Sequence, residues 1–537
     1  MKVLENLMMK ISSSSYMPTT IMVMMLALSI VRPTMSDAQT PEPAVLVVAQ
    51  SVDVDGLEPA SINFQAERNV IHHLFATLYE ITASGRLEPY LATEYEISED
   101  GREHSFYIPS GRTCQDGSPL TADDAAYSFQ RAADPANAFT GNTRQVLEQL
   151  LYVDAYALNA NELVIVIDGP PVYALGLIAQ VYIHCRESYE GVPLARAMEN
   201  PVGSGPYRLV EWVHNNYLVM ERVPEFTLRP NYFDRIEWWV MTDGGNRVSA
   251  MLAGETDIMS VSGNQRNIFQ QNSDIGTQIV SGTRQLYIGF NQRDLWEDTL
   301  GGQALQNPMV RLGLQYALDV TAFCDDVLEV PCERATSSVH PLSIPSEITP
   351  FSFDPALAEQ MLSDAGYPPN DEGIRFELTL QIPTGRSGND REIAEWIGEA
   401  FEAVGVAVDV EMPNWTTEYL PRLQEHELGP LFLMYFDTVT WSAPYSLQAL
   451  ARPTLLSNAT EWTNPNWARL WPQLLNSRDV EQTDLLTHEL LRILHADPPW
   501  LSLYFQSQQY AVNHRVVWQA RPDGWLIVND AYLAESE

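Results

Sequence analysis

Lysine is nearly missing from this chain. Of its 537 residues only Lys2 and Lys10 are lysine, and both fall in a segment that reads as a removable export signal. A processed chain without lysine has no P-loop lysine, no Schiff-base lysine and no lysine nucleophile. Basic charge is scarce too: 31 Lys+Arg face 70 Asp+Glu, a formal net charge of -39. With no basic stripe to follow a phosphate backbone, nucleic acid is excluded as a partner. An acidic, lysine-free surface suits a salty medium, where ions screen its self-repulsion. Long apolar runs are absent as well. The longest, Ile21 to Val31, falls well short of the roughly 20 residues that span a bilayer.

What is present begins with an address. Lys2 and Lys10 give a weakly positive start, the apolar stretch follows, and Ser36-Asp37-Ala38 offers a small-x-small cleavage site before Gln39. Residues 1–38 therefore read as a signal peptide. The first cysteine is Cys114, so a lipid-attached N-terminus is not expected and a free periplasmic protein is. The four cysteines, Cys114, Cys185, Cys324 and Cys332, allow two disulfides in three pairings or four buried thiols. Short spacing and Pro331 favour Cys324 with Cys332, which leaves Cys114 with Cys185.

Hydrophobic residues make up 45% and aromatics 10%, enough for packed cores, and the length suggests about three folding units. Ala44–Gln50 reads as a buried strand, and helical periodicity runs through 67–78. Short alternating segments follow, divided by turns such as Asp116-Gly117 and Gly203-Ser204-Gly205-Pro206. The second half alternates more regularly. Residues 310–318 and 354–365 look helical, the latter stopped by Gly366. Strand 376–382, helix 390–404 and strand 407–412 argue for a parallel α/β unit, and 484–495 is one more amphipathic helix.

Catalytic signatures fail one by one. His488-Glu489 opens like a zinc-protease helix, but Arg492 stands where the second histidine ligand belongs. His488 and His495 read as exposed helix residues. Gly203-Ser204-Gly205 lacks the spacing of a nucleophile elbow, and Pro206 removes an N–H that a phosphate would want. The neighbouring acidic pairs Asp123-Asp124 and Asp325-Asp326 point apart in any regular structure. No metal site, cofactor site or catalytic residue is indicated.

Several segments together carry a resemblance. Leu87-Glu88-Pro89-Tyr90-Leu91-Ala92 is followed by Ser98-Glu99-Asp100-Gly101, and Asp116-Gly117-Ser118-Pro119 by Leu120-Thr121-Ala122-Asp123-Asp124. Pro201 through Tyr207, Gly254-Glu255-Thr256-Asp257, Phe290-Asn291, 310–319 and 353–367 continue the series in order. The chain resembles the family 5 extracellular solute-binding proteins, the oligopeptide, dipeptide and nickel type that serve ABC importers. The resemblance covers almost the whole mature chain.

It implies an α/β, two-lobed periplasmic binding protein of type II, hinge-closing, with an additional domain inserted in the first lobe. Lobe I would comprise 39–84, 201–283 and 505–537, the additional domain 85–200, and lobe II 284–504. A short peptide or related solute would bind between the lobes and pass to ABC permease subunits in the inner membrane, the binding protein itself being a monomer. Gly203 and Gly205 would supply backbone angles that other residues resist, and Thr121 would cap a helix.

In peptide-binding members an Asp four residues before a Pro pairs with the ligand's α-ammonium. Counting back from Pro444 places Thr440 there, and Asp437 is the nearest substitute. Aromatic faces favour apolar side chains, sugar rings or cations. The candidate ligand-binding residues are Trp415, Tyr435, Asp437, Trp441 and Tyr504; Trp467 and Trp471, four apart, are assigned to packing. An oligosaccharide is the alternative ligand class, and a non-transport sensor or interaction protein the alternative role. Chelated nickel is disfavoured for want of clustered His or Cys, and an exported hydrolase ranks third.

Overall fold

The computed structural model describes residues 43–534, apart from 63, 140, 294, 295, 297, 341–343, 386–388, 439 and 452–458. The export signal thus lies outside the described residues. Among those residues no helix is long and apolar enough to cross a membrane.

One ten-stranded mixed sheet organises the chain. Its first half holds Val45–Gln50, flanked in parallel by Arg235–Val240 and Ile258–Ser260, with Tyr217–Arg222 and Tyr207–Val213 continuing to the edge. Its second half holds Leu431–Asp437, Phe376–Gln381 and Val406–Glu411. Two long antiparallel strands, Ile275–Phe290 and Trp500–Asn513, lie side by side in the middle and belong to both halves.

Between Ser281↔Ser507 and Gln285↔Phe505 the pairing slips, and a second irregularity follows before Tyr287↔Ser502. Extra residues on one strand bend it and increase its twist. The apolar cores divide accordingly. Leu46, Val48, Ile236, Trp238 and Val512 pack in one cluster, and Ile288, Leu314, Leu378, Ile397 and Leu501 in another.

The strand–helix–strand unit forms as the periodicity predicts. Helix Asp390–Ala403 buries Ile393, Ala394, Ile397 and Phe401 on one face, and the strands it connects pair in parallel, Phe376↔Val406 through Gln381↔Glu411. Gly405 follows it with φ 83°, and Gly366 ends helix Pro355–Asp364 with φ 96°; both are left-handed positions that favour glycine.

A four-stranded sheet of Glu94–Ile97, Glu103–Tyr107, Glu162–Ile167 and Tyr152–Asn159 forms a separate layer with helix Ala122–Ala133. Asp124 accepts hydrogen bonds from the Thr121 N–H at 2.8 Å and its hydroxyl at 2.9 Å, closing the start of that helix. A buried carboxylate from the segment that follows strand Val45–Gln50 ties this layer to the rest of the chain. Glu58 accepts from Arg131 at 2.7 Å and contacts His184 Nε2 at 2.9 Å, with its side chain fully buried. Burial alone would raise its pKa, but the charges and hydrogen bonds of His184 and Arg131 outweigh that and hold it at about 2. Both favoured disulfides are present, Cys114–Cys185 and Cys324–Cys332.

Three expectations need correcting. The helix assigned to 67–78 spans Gln65–Leu74 and stops there, because 79–81 pairs as a strand with Leu87–Pro89. Gly203 and Gly205 have no positive φ. Their reason is close approach: a Cβ on Gly203 would lie 1.8 Å from the Leu74 carbonyl oxygen, and one on Gly205 2.6 Å from Phe75 N. His495 is not an exposed helix residue either, since its ring stacks on Phe351 at 4.4 Å.

Candidate functional site

The chemistry of the site starts from one strand. Trp500–Asn513 reads WLSLYFQSQQYAVN. Its first six residues and Tyr510–Val512 are buried, whereas Gln506, Ser507, Gln508 and Gln509 are partly or fully exposed. A central strand that turns polar on both faces is no longer covered there by apolar layers. The slip opposite Gly282 separates the two halves of the sheet at this point, and a cavity of about 730 Å³ opens beside it.

Both halves of the sheet contribute walls. Ser260, Ser262 and Asn264 come from the first half, and Leu286 and Tyr435 from the second. Tyr504 and the Gln506–Gln509 run come from the shared strand, and Asn389 stands at the start of helix Asp390–Ala403. The loop Val327–Val330, closed by the Cys324–Cys332 disulfide, completes the enclosure. Arg284 and Glu329 supply the charge; the remaining walls are amides, hydroxyls, aliphatic groups, the rings of Tyr435 and Tyr504, and Cys332. A neighbouring pocket of about 590 Å³ shares Ser260 and Gln508 with the cavity and extends towards Asp55 and Phe64.

Of the five candidate residues, the fold brings Tyr435 and Tyr504 together in this cavity. The Tyr435 hydroxyl donates to the Asp390 carboxylate at 3.2 Å. Tyr504 is 5% exposed. Burial first, then the proximity of Tyr435 and Asp390, holds its hydroxyl well above the ordinary tyrosine range, so it stays a hydrogen-bond donor.

Asp437 stands one step away. Its carboxylate accepts from the Thr283 hydroxyl at 3.0 Å and lies 3.8 Å from Arg284 Nε. That charge is already engaged by protein groups. Thr440, four residues before Pro444, is 2% exposed and packs against Gly176.

The two tryptophans sit elsewhere. Trp415 opens the turn Trp415–Tyr419, its ring 5.6 Å from Tyr419, and packs on the cluster of Phe432 and Met434. Trp441 is 6% exposed, with its ring 5.0 Å from His340. It lies so close to Gly85 that a Cβ there would meet the indole at 2.3 Å. Neither lines the cavity. Trp467 and Trp471 stack at 5.5 Å in a buried cluster, as their spacing predicts. Among the described residues, no group of three or more His, Cys, Asp or Glu could hold a metal ion.

Sequence reasoning missed Asn264, Asn389, the loop 327–330 and the glutamines. One signal was available for the glutamines: the run Gln506-Ser507-Gln508-Gln509 interrupts an otherwise apolar strand. The others come from separate loops and carry no local mark.

Comparison with known proteins gives this geometry a context. Residues 86–456 match the model of the bacterial extracellular solute-binding proteins, family 5 middle. The chain is similar to heme-binding protein A of Haemophilus influenzae, 23% identical over 455 residues, covering 77% of this chain and 78% of that protein. It is also similar to glutathione-binding protein GsiB of Escherichia coli K12, 22% identical over 474 residues, covering 85% and 88%. Among solved structures it resembles HbpA2 of Haemophilus parasuis, with TM-score 0.81 and 21% identity, covering 91% of this chain and 100% of that one. The unliganded open form of MppA, a periplasmic murein tripeptide-binding protein, gives TM-score 0.78 and 21% identity, covering 92% and 98%. At these identities the structural likeness carries the fold.

Proposed function

Because the chain belongs to the family 5 bacterial extracellular solute-binding proteins, we propose that it captures a short peptide or a related solute for an ABC importer. The observation that carries this reading is the cavity beside the crossing of the two long strands, walled by both halves of one sheet. Two bodies joined at a bend can close on a ligand that makes better contacts in the closed state. The proposed division is 39–84, 201–283 and 505–537 for lobe I, 85–200 for the additional domain, and 284–504 for lobe II. Its breaks at 283/284 and 504/505 fall within the slipped pairing.

Tyr435 and Tyr504 are the proposed ligand contacts, with the Gln506–Gln509 run binding amide or hydroxyl groups. Asp437 is proposed to act through Arg284. Trp415 and Trp441 support the fold around the site. The reading assigns no chemistry beyond binding, and it pairs an exported monomer, its signal peptide cleaved after Ala38, with permease subunits of the inner membrane.

A free α-ammonium is not required on this reading, since by the resemblance Thr440 stands where peptide-binding members carry a carboxylate, and Asp437 accepts from Thr283 and lies near Arg284. The same observation favours oligosaccharide as the second ligand class. Thermal melting in high salt against di- to pentapeptides, their N-acetylated forms and short oligosaccharides tests it. A ligand at about 100 times its Kd adds roughly 2.7 kcal/mol. The reading expects a rise with at least one class and no loss on N-acetylation. A melting point unmoved by all of them would sink it.

A further inference from the structure

The loop between Cys324 and Cys332 differs in character from the rest of the cavity wall. It begins on Cys324, fully buried beside Phe323 in the second-half core. One π-helical turn, Cys324–Leu328, is ended by Glu329 at φ 53°, and the Val330 N–H returns to the Cys324 carbonyl at 3.2 Å. The disulfide closes the same loop covalently.

From outside the loop, Arg266 donates to the Glu329 carbonyl at 3.2 Å and the Ser507 hydroxyl to the Pro331 carbonyl at 2.9 Å. Arg266 belongs to the helix Gly263–Phe269 of the first half of the sheet. Both donors come from residues assigned to lobe I and hold the loop through its backbone, which leaves its side chains unconstrained by those bonds.

Those side chains are aliphatic. Val327, Leu328 and Val330 line the cavity with Leu286, beside residues that are mainly amides and hydroxyls; Leu286 is 3% exposed and packs in the second-half core. Val327 is 40% exposed. An aliphatic group left open to water, as Val327 is, gains free energy when something apolar covers it.

On the reading of this cavity as the solute site, we propose that the disulfide-closed loop is its specificity element. Val327, Leu328 and Val330, with Leu286, form a subsite for an aliphatic group of a hydrogen-bonding ligand. The disulfide and the Val330-to-Cys324 backbone bond hold that subsite in shape, and the bonds from Arg266 and Ser507 join it to lobe I in this conformation.

Methyl-labelled NMR of the full mature protein tests the subsite with two uncharged fragments, isocaproamide and acetamide, which differ in the aliphatic group and share the amide. The methyls of Val327, Leu328, Val330 and Leu286 should shift with isocaproamide at concentrations at least about tenfold lower than with acetamide, the gain expected for burying an isobutyl-sized group. Val327→Ser, a change at a half-open position, should remove most of that difference. Cys324→Ser with Cys332→Ser should broaden the loop methyls and abolish the preference, while Val330→Ser gives an independent reading with the disulfide kept. Equal response to both amides, an unaltered preference in Val327→Ser and Val330→Ser, or shifts confined to methyls elsewhere would overturn the proposal. The melting screen of whole solutes succeeds or fails separately, so loss of the binding role and loss of the aliphatic subsite are told apart.

Discussion

Gly282 approaches Gln506 so closely that a Cβ on the glycine would lie 2.1 Å from the Gln506 carbonyl oxygen. The contact falls inside the slipped pairing, where 282–284 stand opposite Gln506 between the pairs Ser281↔Ser507 and Gln285↔Phe505. The two long strands meet here at a spacing that only a residue without a side chain permits, and the cavity opens next to them. The bend, the close contact and the cavity are one feature.

Gly282→Ala should therefore force the strands apart. Overpacking of this kind costs about 1–3 kcal/mol, and denaturant unfolding should show it as a lowered midpoint at unchanged slope. Gly111, which carries φ 88° but has open space around its Cβ position, provides a contrast. Its alanine variant should suffer from backbone strain without altering solute affinity, whereas Gly282→Ala should alter both.

The Glu58 carboxyl links stability to acid pH. Its pKa is depressed from the ordinary 4.5 to about 2 in the folded protein, so the unfolded chain takes up the proton first. The contribution is complete above about pH 4.5 and is lost as pH falls towards 2. Glu58→Gln leaves Arg131 buried without its counter-charge and should cost about 3–5 kcal/mol at neutral pH. It should also flatten the stability curve between pH 4.5 and 2. An unchanged acid limb in that variant contradicts the assignment.

Histidines shape the curve at milder pH. His73 is completely buried; burial, aided by His72, lowers its pKa from 6.5 to about 3 against the opposing pull of the Asn69 carbonyl. Burial lowers His104 to about 4 against the opposing pull of a backbone hydrogen bond with Gly101, and burial alone lowers His340 to about 4. These rings stay neutral when folded and become charged when unfolded. Stability should accordingly decline as pH falls below about 6.5, before the carboxylates titrate. Unfolding midpoints at pH 7 and pH 5 check this, and His104→Gln should reduce the difference between them.

The two disulfides should contribute unequally. Cys114–Cys185 closes a separation of 71 residues and Cys324–Cys332 one of 8. Loop entropy favours the long link by about 2 kcal/mol. Cys114→Ser with Cys185→Ser should lower the melting temperature more than the corresponding pair at 324 and 332. The reverse order would show that the short loop matters more to the fold than to the cavity.

A net charge of -39 predicts that added potassium chloride raises the melting temperature, as screening relieves repulsion between carboxylates. A melting temperature independent of salt contradicts this account of the acidic surface.

The sequence was most informative where structure is local. Periodicity marks helix Asp390–Ala403 and its flanking strands because each buries one continuous face. The short spacing of Cys324 and Cys332 marks their pairing in the same way. Tyr435 and Tyr504, named as candidates for their aromatic faces, both line the cavity. Trp441 shows the limit: an indole packed on Gly85 and one facing a ligand look identical in sequence. Asn264, Asn389 and the loop 327–330 converge only through the sheet, so no local pattern marks them. Gly203 and Gly205 were recognised as necessary but for the wrong physical reason, since the constraint is the backbone of Leu74 and Phe75 and not φ.

Closure of two bodies on a solute is the central claim. Small-angle X-ray scattering reads it most directly, on the mature protein alone and saturated with the solute that gives the largest melting shift. The account predicts a smaller radius of gyration with solute bound, and loss of that compaction in Gly282→Ala. A melting shift with an unchanged radius of gyration would show binding without closure, and the hinge at Gly282 and Gln506 would fall.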